Sequence, residues 1–123
     1  MGANLVVHSA TKYLSDHKTV TAEVIAGNKN RIDQCRMPYL QCFGAILDTF
    51  AAWLLMQGVK ILEIRMEKHC LNAMKIAEYI SKHPKIDKVY YPGLKSHLTH
   101  KIAKKQMHNE FGVITSADIK GRT

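Results

Sequence analysis

The run His8-Ser9-Ala10-Thr11-Lys12-Tyr13 sets two hydroxyls and one amine within four consecutive positions. It directly follows Asn4 to Val7 (NLVV), a short apolar run suited to a buried strand. The polar residues therefore fall at the carboxyl end of a sheet element, where ligands of α/β proteins gather. Ser9 and Thr11 are two apart, so in extended backbone they face the same way and both can donate to one phosphate. Lys12 then projects separately and is free for covalent chemistry. A lysine amine attacks a carbonyl only when unprotonated, and partial desolvation behind an apolar strand favours that neutral form. Short Ser/Thr/Lys clusters also occur in turns, so the same residues fit a solvated strand-to-loop junction.

Other chemistry-bearing residues are less organised. His97 and His100 are spaced i, i+3 and can share a helix face, as zinc ligands do, but neither His108 nor Cys70 can be placed beside them from spacing alone. Surface histidines on a basic helix are the plainer reading, and no metal site is expected. Three cysteines, Cys35, Cys42 and Cys70, cannot all pair within one chain and lack CxxC spacing, which points to free thiols in a reducing compartment. The formal charge of +8 owes most to lysines scattered from Lys60 to Lys120, with one adjacent pair at Lys104-Lys105, and they do not gather into one aromatic-interleaved run. That is the pattern of a solvated basic surface, and no nucleic-acid partner is expected.

The elements that must position Lys12 follow from periodicity. Val20 to Ile25, closed by Gly27, reads as a second strand. From Asn28 the period becomes helical through Ile32, Cys35, Leu40 and Phe43, with a bend imposed by Pro38 and an end at Gly44. Asp48 can cap a helix from Thr49 to Met56 that stops at Gly58. Leu62, Met66, Cys70, Ala73, Ala77 and Ile80 step by three and four, which predicts a long amphipathic helix ending before Pro84. Ile86 to Tyr91 reads as a strand stopped by Pro92-Gly93, His97 to Met107 as a short basic helix, and Gly112 to Ser116 as a last strand.

Two separated strand pairs joined by a long helix indicate parts of two α/β layers. With 46% apolar residues the chain can build a core. No apolar run approaches the roughly 20 residues of a membrane span, and the first residues do not resemble a signal peptide, so no membrane partner and a cytoplasmic location are expected.

HSATKY followed by a second short strand resembles the cofactor-lysine segment of the Cys/Met metabolism family of pyridoxal-phosphate (PLP) enzymes, which includes cystathionine γ-lyase, cystathionine β-lyase, methionine γ-lyase and cystathionine γ-synthase. Trp53-Leu54-Leu55, Gly58, Leu62, Arg65-Met66, His69, Asn72-Ala73, Tyr91-Pro92-Gly93-Leu94, His97 and Phe111-Gly112 stand in the order and approximate spacing of that family's middle-to-late region. The resemblance implies an α/β segment of a fold type I PLP-dependent transferase. Residues 1–60 would end the large cofactor domain, 61–84 would form the linking helix, and 85–123 would start the small carboxy-terminal domain.

It further implies that Lys12 holds the cofactor covalently and takes the substrate α-proton, and that Ser9 and Thr11 bind the cofactor phosphate. A sulfur-containing amino acid would be the substrate and a homo-oligomer, in this family a tetramer, the assembly. Arg65, His69 and Asn72 on the long helix are expected to make packing and capping contacts.

The family pattern departs in places. Asp16 and Glu23 stand where the family has glycine, Thr19 stands at an acidic position, Thr49 at a proline, and Gln57 where arginine precedes glycine. Added carboxylates near a dianionic phosphate would weaken its binding. The family's phosphate loop, ring-stacking aromatic, pyridine-pairing acid and substrate-binding arginine come from sequence outside these 123 residues. Little activity is therefore expected of them alone, and the alternative is a non-catalytic relative that serves as an interaction piece.

Overall fold

The computed structural model describes residues 2–108 and 110–121. It comprises two compact units, Met1–Leu62 and Glu63–Thr123.

In the first unit, β1 (Leu5–Ser9) and β2 (Glu23–Gly27) pair antiparallel, from Leu5 opposite Gly27 to Ser9 opposite Glu23. Both strands lie later in the chain than periodicity predicts. Val20 and Ala22, expected within the second strand, are instead buried with Ala10 in a small cluster, so their apolar surface serves packing ahead of the ladder. α1 (Lys29–Cys35) follows, with the Asn28 side chain accepting the Arg31 N–H at 3.0 Å. Pro38 has the expected effect: Met37 before it is extended, at φ −115° and ψ 123°, because a helical residue there would clash with the proline ring. The chain recovers one short turn, α2 (Gln41–Phe43), which ends at Gly44 with φ +87°.

α3 (Thr49–Val59) begins where the sequence places it, since Asp48 Oδ2 accepts the N–H groups of Phe50 at 2.9 Å and Ala51 at 3.0 Å. Gly58 does not stop this helix; it is buried inside it. Asp48→Ala removes the acceptor for two otherwise orphaned donors and is expected to cost about 1 kcal/mol. A lowered urea midpoint with an unchanged slope checks this.

In the second unit, α4 (Leu62–Ile80) buries Cys70, Ala73 and Ala77, three residues of the stripe read from the sequence. Ala73 and Ala77 are small, which lets β3 (Ile86–Tyr90) and the fully buried Tyr91 pack close to the helix. The Tyr91 hydroxyl donates to the Gly112 carbonyl at 2.9 Å, so the ring is buried without an orphaned polar tip. α5 (His100–Gln106) is shorter than expected. His97 lies outside it, its Nδ1 accepting the Thr99 N–H at 3.3 Å, so the shared helix face considered for His97 and His100 does not form.

β4 (Ser116–Ile119) pairs antiparallel with β3 and starts where the predicted strand was to end. Gly112, at φ +76°, cannot belong to an extended strand.

Alkaline pH gives a check on this core. Burial first, then the Glu110 carboxylate, pushes the Cys70 thiol above its ordinary 9.0, and burial first, then Cys70 and Glu110, pushes the Tyr91 phenol above 10.0. The folded state therefore holds these protons more tightly than the unfolded chain. Their contribution is full below those ordinary values and is lost as pH rises through the folded-state ones. Urea midpoints are expected to fall as pH rises past 9.0 and again past 10.0, the second fall being smaller in Tyr91→Phe. Equal dependence in both proteins would contradict this.

Candidate functional site

β1 delivers the chain to a tight turn, Ala10–Leu14, that carries Lys12. The turn is π-type: the Ser15 N–H reaches back five residues to the Ala10 carbonyl at 2.9 Å. Lys12 at its centre has φ −89° and ψ −109°, outside helical values. One side of the turn is fixed to the peptide before β2. The Ala22 carbonyl accepts the N–H of Ala10 at 2.8 Å and of Thr11 at 3.2 Å. The Thr11 hydroxyl completes the contact, accepting the Ala22 N–H at 2.8 Å and donating to the Ala22 carbonyl at 3.3 Å.

The underside is apolar. Ala10 is fully buried, and Leu14, Ala51, Leu54 and Leu55 pack around its cluster, so α3 lies directly beneath the turn. Gly58 permits that approach. A Cβ there would sit 2.7 Å from the Leu14 carbonyl oxygen and 2.8 Å from the Ser15 carbonyl carbon and oxygen. Lys12 itself is exposed, an accessible amine on a backbone held from two sides.

Three sequence expectations change here. Burial of Lys12 behind an apolar strand is not found, because the chain has already turned away from β1. Ser9 and Thr11 do not alternate along one strand: the extended conformation ends at Ser9, with φ −72° and ψ 106°, and Thr11 lies inside the turn. The Thr11 hydroxyl has one proton, already directed at Ala22, so donating to a phosphate would require releasing that long bond. The Ser9 hydroxyl makes no capping bond to the turn. Finally, Glu23 is an ordinary exposed strand residue that needs no glycine geometry, whereas Asp16 does occupy a positive φ of 66°. Its carboxylate pairs with His17 Nδ1 at 3.0 Å.

Sequence reasoning missed Ser15 and misread Gly58. Both act through backbone contacts that leave no periodic signal, although a glycine within an otherwise apolar helix is itself a sign of close approach. Arg65, His69 and Asn72 all lie on α4.

An amine on a fixed turn at the end of a strand, with a hydroxyl one step before the turn, suits a phosphorylated aldehyde. The family comparison specifies the group. A family model described as Cys/Met metabolism PLP-dependent enzyme matches residues 1–123. The chain belongs to that family. It is 48% identical over 122 residues to an L-methionine gamma-lyase of Fusobacterium nucleatum subsp. polymorphum, covering 98% of this chain and 31% of that protein. It is 46% identical over 121 residues to a cystathionine beta-lyase of Coxiella burnetii, with the same coverage.

Among solved structures, metB from Corynebacterium glutamicum matches with a TM-score of 0.89 and 40% identity, covering 98% of this chain and 31% of that one. Cystathionine gamma-lyase from Lactobacillus plantarum, complexed with L-serine, matches with a TM-score of 0.87 and 37% identity over the same shares. The chain thus has the mixed α/β fold of a segment of these PLP-dependent enzymes and spans about 31% of their length. The cofactor of its family is PLP. Among the described residues, no helix is long and apolar enough to cross a membrane.

The donor set fits PLP in part. Lys12 is an exposed amine that would suit its aldehyde and Ser9 carries a hydroxyl that would suit its phosphate, while Thr11 is committed to Ala22.

Proposed function

We propose that this chain carries the cofactor lysine of a PLP-dependent carbon–sulfur lyase or γ-replacement enzyme of sulfur amino-acid metabolism. The supporting observation is the exposed Lys12 amine on a turn whose backbone is fixed by Ala22 on one side and α3 on the other. Lys12 would bind the cofactor aldehyde, and Ser9 would hold the phosphate with help from Thr11. PLP, when bound, supplies a ring that takes up the electrons left at the substrate α-carbon. Once the substrate amine frees it, the Lys12 amine would accept the α-proton and return it where the sulfur substituent leaves. Cystathionine and methionine type substrates fit this reading, since both substrates occur in the names of the relatives.

In this reading residues 1–60 end a large cofactor domain, 61–84 link, and 85–123 begin a small domain, in a cytoplasmic homo-oligomer. The relatives are about three times as long, so groups that complete a working site would come from outside these residues. Incubation of the 123 residues with PLP and cystathionine or methionine is expected to release negligible ketoacid. Lys12-dependent release would overturn that expectation.

Exposed apolar side chains favour a second reading, in which the chain acts as a non-catalytic interaction piece: Phe43 is 80% exposed and Leu98 97%. Size-exclusion chromatography separates the cases. A tight monomer that binds no PLP argues against both.

A further inference from the structure

We propose that Ser15 is a positioning residue for the Lys12 amine: its hydroxyl holds the lysine turn open in the π form. The inference rests on the reading of Lys12 as the cofactor lysine. In an α-helix the Ser15 N–H would bond the Thr11 carbonyl, four residues back. Here it bonds Ala10, five back, at 2.9 Å, which leaves the Thr11 carbonyl without its usual donor. The Ser15 side chain fills that vacancy, its Oγ donating to the Thr11 oxygen at 2.8 Å. Ser15 is 3% exposed, so water cannot readily substitute.

The extra residue accommodated by the wide turn is part of the same five-residue run as Lys12, whose ψ of −109° departs from helical geometry. Without the Ser15 hydroxyl, the Thr11 carbonyl regains a donor most simply by taking the Ser15 N–H. That change tightens the turn to α geometry and re-aims the peptide carrying Lys12. Thr11 and Gly58 restrain the two faces of the turn, and Ser15 sets its width. Single widened turns of this kind are enriched at functional sites, where they redirect a side chain.

The test compares the full chain with Ser15→Ala and the hydroxyl-retaining Ser15→Thr. Backbone 13C shifts of Lys12, read without cofactor, are expected to move toward helical values in Ser15→Ala and to stay in place in Ser15→Thr. With PLP added, borohydride trapping mapped to Lys12 is expected to slow about tenfold in Ser15→Ala, the scale of one buried hydrogen bond, and by no more than about twofold in Ser15→Thr. Unmoved Lys12 shifts and an unchanged trapping rate in Ser15→Ala would overturn the proposal. No trapping at Lys12 in the unsubstituted chain would sink the cofactor-lysine reading instead, while the shifts still decide the role of Ser15. If circular dichroism shows Ser15→Ala unfolded, Ser15→Cys takes its place: its weak donor is expected to give the same displaced shifts, and wild-type shifts with wild-type trapping would overturn the proposal.

Discussion

Lys12→Ala is expected to reduce the visible absorption band of lysine-bound PLP to the remainder contributed by other lysines and to lower the borohydride-trapped fraction at least about tenfold, a loss of about 1.4 kcal/mol or more in cofactor retention. The size of the effect follows from how few groups this chain offers the cofactor. Lys12 is its one covalent anchor in the proposed site, and Thr11 must give up a bond to Ala22 before it can help. Other lysines react with an aldehyde too, but they lie outside the restrained turn Ala10–Leu14. Their labelling is expected to be unaffected by the substitution. A variant that keeps the full band would remove Lys12 from the account.

Gly58→Ala is expected to destabilise the first unit by about 1–2 kcal/mol, against the usual preference of helices for alanine. Helix propensity alone favours Ala over Gly by about 1 kcal/mol. The new Cβ, however, would sit 2.7–2.8 Å from backbone atoms of Leu14 and Ser15, which have no rotamer to change. Overpacking of that kind costs about 1–3 kcal/mol and wins where the neighbour is main chain. Gly58→Val adds a second and third methyl-sized group and is expected to cost roughly 3 kcal/mol. Urea midpoints of the three proteins check the order, and a more stable Gly58→Ala protein would mean that α3 does not press on the lysine turn. Because the contact lies at the foot of that turn, trapping at Lys12 is expected to weaken in the same order.

The parts of this arrangement that sequence disclosed are local or periodic. Asp48 announces a helix because its acceptor needs only the next three residues, and the stripe from Leu62 to Ile80 announces α4 because burial repeats at helical spacing. Lys12 and its hydroxyl neighbours form a local cluster of the same kind, whose role is the proposal made above, and the cofactor of the family is PLP. The contacts that set the turn's geometry were not legible. Thr11 meets Ala22 eleven residues away, and Gly58 meets Leu14 and Ser15 across more than forty positions, so neither pairing leaves a spacing to read. Ser15 is one hydroxyl among several in a polar stretch until the five-residue bond to Ala10 shows which carbonyl needs it. The displaced strand β4 has a similar origin, since Gly112 adopts positive φ within a run whose composition suits an extended chain.

Asp16 and Glu23 illustrate why a departure from a family pattern must be placed before it is weighed. Glu23 sits in regular antiparallel pairing with Ser9, where any side chain is tolerated. Asp16 does take a left-handed conformation, and aspartate is one of the residues that tolerates it best. Neither residue lies within the Ala10–Leu14 turn itself. Any effect they have on cofactor binding would come through charge near the phosphate.

The most direct measurement is peptide mapping by mass spectrometry after the chain is incubated with PLP and reduced with borohydride. The account predicts the cofactor adduct on the peptide containing Lys12, in preference to every other lysine. An adduct on other lysines with Lys12 unmodified would contradict it.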